Sequence, residues 1–302
     1  MDIIKEIGRL KRSRGAIILA HNYQLPEVQD IADYVGDSLG LSIQAAATDA
    51  KVIVFCGVTF MAETAKILSP GKTVLVPDPG AGCPMADMID AGELRALKRE
   101  HPTAKVLCYV NTTAAVKAEC DLCCTSANAV GMVRDVMKED KDIIFVPDRH
   151  LADHVAQETG RGFIIWKGFC PTHARILPED ILKQKALHPE AVVMVHPECS
   201  RGVRALADKI LSTEAMCGFA HETQAREMIV ATEVGVLHKM RRANPDKAFY
   251  PATDKAVCPN MKRTTLEKIL VSLDEMQTEV VLDQDTIYKA KQCIRRMLEY
   301  RA

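Results

Sequence analysis

The chain has 302 residues, with 39 Lys and Arg against 40 Asp and Glu, for a net charge of −1. That balance argues against the broad basic surface of a general nucleic-acid-binding protein, and 48% hydrophobic with 26% charged residues is an ordinary globular composition. No apolar run approaches the ~20 residues of a membrane span, and Met1-Asp2-Ile3-Ile4-Lys5-Glu6 carries charge where a secretion signal needs an apolar stretch. The expected location is therefore cytoplasmic, with neither a membrane nor a nucleic acid as partner. Eleven cysteines cannot all pair within one chain, and in a reducing compartment clustered thiols more often bind metal or react. Length alone suggests about two domains.

In chain order, the pattern predicts a helix over 2–14, then an apolar strand, Ile17-Ile18-Leu19-Ala20, that stops at the polar His21-Asn22-Tyr23. Gly36-Asp37-Ser38 opens a helical stretch. A strand at 51–55, an amphipathic helix at 60–68 and a strand at 73–76 lead to Cys83-Pro84 and another helix. The series then restarts. Val106-Leu107-Cys108 runs into Tyr109-Val110-Asn111, Ser126 follows Cys124-Thr125, and elements at 142–146, 150–159 and 162–165 precede Cys170-Pro171. It restarts once more with Val192-Val193-Met194-Val195 ending at His196-Pro197-Glu198, Ser212-Thr213, elements at 226–231, 234–241 and 248–250, and Cys258-Pro259. Residues 264–300 form further helix outside the series, broken near Thr278.

The landmarks share one period. Ser38, Ser126 and Thr213 are spaced by 88 and 87 residues, and Cys83, Cys170 and Cys258 by 87 and 88. His21, Asn111 and His196 are spaced by 90 and 85. Such a repeat predicts three homologous α/β domains, each a parallel sheet between two helix layers, packed around a pseudo-threefold axis. The expected domains are 1–104, 105–190 and 191–302, the repeat itself covering 16–104, 105–190 and 191–263. Ligands sit off the carboxyl ends of parallel strands, so three strand ends, three helix starts and three cysteines converge on one cavity.

Three thiolates from distant segments suit an iron–sulfur cluster or zinc. In a 4Fe–4S cluster, three cysteines leave one iron free to act as a Lewis acid. Ser38, Ser126 and Ser212/Thr213 suit simple capping or, at a shared cavity, anion binding by free N–H groups. His21, Tyr23, Tyr109, Asn111, His196 and Glu198 form a polar set at the strand ends, suited to proton transfer, and His173 follows Cys170 by three residues. Cys120-Asp121-Leu122-Cys123-Cys124 reads as part-buried thiols ahead of Ser126, with a reversible Cys120–Cys123 disulfide as the sharper alternative. Cys56, Cys108, Cys199, Cys217 and Cys293 read as isolated core thiols.

These segments resemble the quinolinate synthase family over essentially the whole chain. The resemblance is carried by Ala20-His21-Asn22-Tyr23-Gln24, Gly36-Asp37-Ser38-Leu39, Gly82-Cys83-Pro84-Met85-Ala86, Tyr109-Val110-Asn111-Thr112, Cys123-Cys124-Thr125-Ser126, Gly168-Phe169-Cys170-Pro171-Thr172-His173, His196-Pro197-Glu198-Cys199, Thr232-Glu233-Val234-Gly235 and Cys258-Pro259-Asn260-Met261. It implies a 4Fe–4S cluster on Cys83, Cys170 and Cys258, and condensation of iminoaspartate with dihydroxyacetone phosphate to quinolinate, phosphate and two waters, a step of NAD biosynthesis. The CxxCxxC that some members carry near the C-terminus is absent, Cys293 standing alone there. The implied roles are Glu198 as base beside His196, Tyr23 and His21 in proton transfer, Tyr109 and Asn111 in positioning, His173 near the cluster, and Ser38, Ser126, Ser212 and Thr213 at anionic groups. A transient partner would be the enzyme that supplies iminoaspartate. Diphosphate reductases and diphthamide synthase-like proteins share a three-cysteine architecture, but His-Asn-Tyr and His-Pro-Glu argue against both; a non-enzymatic iron–sulfur sensor would not need the proton-transfer set.

Overall fold

A parallel strand covered by helices on both faces is apolar at every position rather than at alternate ones. Val52-Ile53-Val54-Phe55-Cys56 and Ile143-Ile144-Phe145-Val146 are of this kind, and every residue in both runs is buried. The computed structural model describes residues 2–300; Met1, Arg301 and Ala302, at the outer ends of the first and third expected domains, lie outside the described residues.

The first sheet holds β1 (Ala16–His21), β2 (Tyr34–Gly36), β3 (Val52–Cys56) and β4 (Thr73–Leu75), in the order β2-β1-β3-β4. The second holds β5 (Lys105–Tyr109), β6 (Leu122–Cys124), β7 (Ile143–Val146) and β8 (Ile164–Ile165), ordered β6-β5-β7-β8. The third holds β9 (Val192–Val195), β10 (Lys209–Ile210), β11 (Glu227–Ala231) and β12 (Ala248–Pro251), ordered β10-β9-β11-β12. Every pairing within these sheets is parallel. The three identical orders bear out an α/β fold built from one repeated unit. Each unit also has a strand that the sequence reading missed: β2, β6 and β10 are two or three residues long, too short to show a period.

The helices in chain order are α1 (Ile3–Arg14), α2 (Pro26–Ile31), α3 (Ser38–Ala47), α4 (Thr59–Leu68), α5 (Ala91–Glu100), α6 (Ala114–Lys117), α7 (Ala129–Gly131), α8 (Arg149–Thr159), α9 (Pro178–Leu187), α10 (Arg201–Arg204), α11 (Thr213–Glu222), α12 (Val236–Ala243), α13 (Leu266–Glu275) and α14 (Gln284–Glu299). They make the outer layers. In the third unit, Val193, Val195 and Ile229 pack with Ile181 of α9 and Val203 of α10. Met194, Met228 and Val230 point the other way, onto Met216 of α11 and Met240 of α12. The first sheet likewise sends Ile18 and Val54 toward Leu10 of α1 and Ile269 of α13, and Leu19 and Ile53 toward Leu41 of α3 and Ala65 of α4.

Two expectations change in detail. The helix expected at Ser126 begins at Ala129 and runs at once into a five-residue π-helical stretch, Met132–Val136. Asn128 Oδ1 accepts from Thr125 N at 2.7 Å, which leaves Ser126 in a turn rather than at a cap. The terminal helix breaks where expected, and the reason is visible: α13 stops at Met276, which takes a left-handed φ of 56°, and the chain then bonds the free edge of β4, through Val76 N to Thr278 O at 2.9 Å and Val280 N to Val74 O at 2.8 Å. α14 then lies against α6 and β6.

α14 is anchored by Ala290, Cys293, Ile294 and Met297, all buried. Ile294→Ala is expected to lower stability by about 2–5 kcal/mol, the usual result of emptying a packed aliphatic site. Tyr288→Ala, on the opposite, exposed face, is expected to stay within about 0.5 kcal/mol. Urea midpoints of the two variants check this.

Candidate active site

The carboxyl ends of the three sheets meet at one cavity. β1 brings His21 and, just beyond it, Tyr23; β5 brings Tyr109 and Asn111; the turn after β9 brings His196 and Glu198, and all six line the cavity. Cys83, Cys170 and Cys258 line it as well, together with His173, Ser38, Ser126 and Thr213. Of the residues expected from sequence to act at the site, only Ser212 is absent from the wall. It caps α11 instead, its hydroxyl accepting from Ala215 N at 3.3 Å.

The three cysteine loops are built alike. Each Cys-Pro is followed by a single 3₁₀ turn: Ala86–Met88, His173–Arg175 and Met261–Arg263. In each, backbone N–H groups from two or three residues downstream are directed at the sulfur: Met85 and Ala86 on Cys83, His173 on Cys170, Asn260 and Met261 on Cys258. The loops are also tied together. Asn260 Nδ2 donates to Gly82 O at 2.7 Å, and Trp166 Nε1 donates to Met88 O at 2.7 Å.

The two histidines that end strands sit in equivalent turns. Tyr23 N donates to His21 Nδ1 at 3.1 Å, and Glu198 N donates to His196 Nδ1 at 3.3 Å. Each bond leaves the neutral ring's proton on Nε2. Burial pushes both imidazoles down to about 3, with the Glu198 charge opposing it only in part. Burial likewise raises the phenols of Tyr23 and Tyr109.

The polar groups form one continuous chain. Tyr23 Oη lies 2.6 Å from Thr232 Oγ1, and Thr232 Oγ1 lies 2.8 Å from His173 Nε2. His173 Nδ1 lies 2.8 Å from Glu198 Oε2, and Tyr109 Oη donates to Glu198 Oε1 at 2.5 Å. His173 Nδ1 is also 3.2 Å from Cys170 Sγ, and its ring stacks on His196 with centroids 4.7 Å apart. Burial alone would favour protonated Glu198, but His173 and the Tyr109 hydrogen bond outweigh it and hold the carboxyl well below the usual carboxylate range.

Sequence reasoning missed Thr232 and Asp37. Thr232 is the first residue after β11, whereas the strand-end landmarks of the sequence follow the first strand of each unit. Asp37, not Ser38, caps α3, accepting from Gly40 N at 2.9 Å. Burial raises its carboxyl, and nearby Glu214 adds to this. Asn111 presents a buried Oδ1 with no partner within the protein.

The donor set suits a soft, cationic group. Burial pushes the Cys83 thiol up to about 12 and raises Cys170 and Cys258, so all three would stay protonated without a positive centre, while the backbone N–H groups nearby favour the thiolate form. Cys170 Sγ, a His173 nitrogen and a Glu198 oxygen also lie within 4.8 Å of one another.

Fold and site together define an α/β protein of three parallel-sheet units with a buried, thiol-rimmed pocket equipped for proton transfer. The family model described as NadA, quinolinate synthetase A protein, matches residues 5–299. Quinolinate synthase from Dehalococcoides mccartyi is 55% identical over 296 residues, covering 98% of this chain and 97% of its own. Those of Methanosarcina barkeri, at 52% over 297 residues, and Thermodesulfovibrio yellowstonii, at 53% over 296 residues, cover the same shares, 98% and 97%. The chain belongs to the quinolinate synthetase A family, and it is an enzyme.

The neutral histidines give a pH test with a fixed sign. Their folded value of about 3 lies below the ordinary 6.5, so between these limits the unfolded chain binds protons that the native state does not. Their share of stability is complete above about pH 6.5 and is lost as pH falls toward 3, by about 1.4 kcal/mol per pH unit for each ring. His196→Gln should flatten the slope of unfolding free energy against pH by that amount; an unchanged slope between pH 4 and 6 would contradict the assignment.

Proposed function

We propose that the protein is a quinolinate synthase that condenses iminoaspartate with dihydroxyacetone phosphate, releasing phosphate and two waters, as a transferase of NAD biosynthesis. The observation that carries this reading is the hydrogen-bonded chain from Tyr23 through Thr232, His173 and Glu198 to Tyr109, in the same cavity as three equivalent cysteines. Cys83, Cys170 and Cys258 would hold a 4Fe–4S cluster. When bound, the cluster supplies an iron without a protein ligand, a Lewis acid for a substrate oxygen or nitrogen.

The chain's own residues supply the rest. Glu198, held ionised, takes a proton from carbon or hydroxyl, and Tyr109 keeps its carboxylate oriented. A proton taken by Glu198 can pass to His173 and through Thr232 to Tyr23, whose hydroxyl, at the far end of this chain of hydrogen bonds, can protonate a leaving oxygen. The Nε2–H groups of His21 and His196 donate to substrate oxygens without adding charge. Asn111 Oδ1 accepts from a substrate amine or hydroxyl. The starts of α3 and α11, with Ser38 and Thr213, and the Ser126 turn are the places for one phosphate and two carboxylates. With Asp37 already on Gly40 N, α11 is the better of the two helix starts for a full anion. No described helix is long and apolar enough to cross a membrane, which agrees with a cytoplasmic location, where an enzyme releasing iminoaspartate would be a transient partner.

Anaerobically purified protein is expected to be brown, to show the spectrum of a 4Fe–4S cluster, and to form quinolinate from the two substrates; a colourless protein with no turnover after iron–sulfur reconstitution would refute the proposal. Glu198→Gln should retain the cluster spectrum and lose about 10²- to 10⁴-fold in kcat.

Thr232→Val keeps the shape of the side chain and removes the link between Tyr23 and His173. With two buried partners unsatisfied, by about 1–3 kcal/mol, kcat is expected to fall roughly 5- to 150-fold with KM little changed. Thr232→Ser, which restores the hydroxyl, should recover most of the loss.

A further inference from the structure

Three short helices, α2, α6 and α10, follow the first strand of their units, and the fourth residue of each is a buried polar side chain: Gln29, Lys117 and Arg204. Their spacings are 88 and 87 residues, the period of the cysteines. Burying such groups is costly unless they are hydrogen-bonded, and all three are bonded in one way. Gln29 Nε2 donates to Asn22 O at 3.2 Å and to Gln24 O at 2.9 Å. Lys117 Nζ donates to Val110 O at 2.7 Å and to Thr112 O. Arg204 Nη1 donates to Cys199 O at 2.7 Å and, more weakly, to Pro197 O at 3.4 Å. In every unit the two carbonyls stand on either side of one residue. Those residues are Tyr23, Asn111 and Glu198, all in the wall of the cavity.

Each donor also meets a neighbouring unit. Gln29 Nε2 donates at 2.9 Å to Gly235 O, one residue before α12. Lys117 Nζ lies 5.3 Å from the centroid of the Phe60 ring, at the second residue of α4. Arg204 Nη1 donates at 3.0 Å to the carbonyl of His150, the second residue of α8, and its Nη2 reaches Asp153 and Gln157 further along that helix. The first unit is thus fastened to the third, the second to the first and the third to the second, each time at the start of the same helix of the repeat.

We propose that Gln29, Lys117 and Arg204 are positioning residues, each fixing the turn that carries one site side chain and tying that turn to a neighbouring unit. Peptide groups are planar, so holding the carbonyls before and after a residue to one donor leaves the backbone between them little freedom. The side chain it carries is then aimed by the backbone rather than by its own contacts. An amide, an ammonium and a guanidinium perform the same task, so the demand is for a placed donor, not for a charge. The consequence for turnover rests on the function proposed above, whereas the fastening of the turns does not.

The test compares Gln29→Met, Lys117→Met, Arg204→Met and Arg204→Lys with the wild type, all as anaerobically purified holo-protein, by hydrogen–deuterium exchange and steady-state kinetics. Each Met variant is expected to exchange about tenfold or more faster in the peptide covering its own turn, 22–24, 110–112 or 197–199, with the other two turns at wild-type rates. Arg204→Met and Gln29→Met should lower kcat roughly 10- to 100-fold with KM little changed, because Glu198 or Tyr23 is then misplaced for proton transfer. Lys117→Met should act mainly on KM, because Asn111 binds substrate. Arg204→Lys should recover most of the loss, since Lys117 shows that a lysine at this place in the helix reaches both carbonyls. Arg201→Ala, which removes the exposed ion pair to Asp153 and keeps the carbonyl bonds, should leave exchange and turnover unchanged. Exchange that stays at the wild-type rate in the altered turn, or rises alike in all three, would overturn the proposal; so would an Arg204→Lys no better than Arg204→Met, or an Arg201→Ala that reproduces the loss. If Arg204→Met does not fold, Gln29→Met makes the same comparison without a buried charge. A wild type that forms no quinolinate would remove the proposed reaction, and the exchange pattern alone would then decide whether the turns are held in this way.

Discussion

One buried charge organises this molecule. Glu198 is 4% exposed, and a carboxylate in such a place is tolerable only if its environment replaces water. The replacements come from elsewhere in the chain: Tyr109 from the end of β5, His173 from the turn after Cys170, and, behind His173, Thr232 from the end of β11 and Tyr23 from beyond β1. The charge in the third unit is therefore satisfied by the second, and the chain of hydrogen bonds ends in the first. The relative placement of the three sheets and the ionisation of one carboxyl are a single problem with a single solution.

The same desolvation sorts the other titratable groups. It keeps His21 and His196 neutral, so two imidazoles can face the cavity as donors without repelling each other or crowding Glu198 with positive charge. It raises the three thiols, which makes the pocket costly for bare thiolates and favourable once a cation shares it. It also raises Asp37 at a helix start, where an ionised carboxylate would compete with any incoming anion. Neutral donors on one side, a single compensated anion in the middle and latent thiolates at the rim form a site whose charge is completed by what it binds.

Much of this was legible in the sequence because it repeats. The spacing of Cys83, Cys170 and Cys258 gave the units, and the repeat gave the convergence, since parallel strands put their carboxyl ends on one side. What the sequence hid has physical causes. β2, β6 and β10 are too short to display a period. Ser126 looked like a helix cap, but Asn128 supplies the competing side-chain bond that turns the chain there. Thr232 carries no signal as a residue type, and its importance lies in two distances that only the packing of β11 against the Tyr23 loop creates.

The repeat also explains which features stayed alike and which diverged. The Cys-Pro loops share one geometry, a 3₁₀ turn with backbone N–H groups on the sulfur, because the three positions face the same demand. The strand ends do not share a demand. The first and third units keep a histidine whose Nδ1 accepts from the residue two places on, and there that residue is Tyr23 in one case and Glu198 in the other. The second unit has Asn111 at the equivalent place, with Oδ1 unpartnered, and offers Tyr109 from within the strand. A bound group with three equivalent attachments selects for sameness; a reaction that must remove a proton on one side and deliver it on another selects for difference. Both selections act on one backbone unit, and the polarity from Glu198 to Tyr23 is the difference written across it.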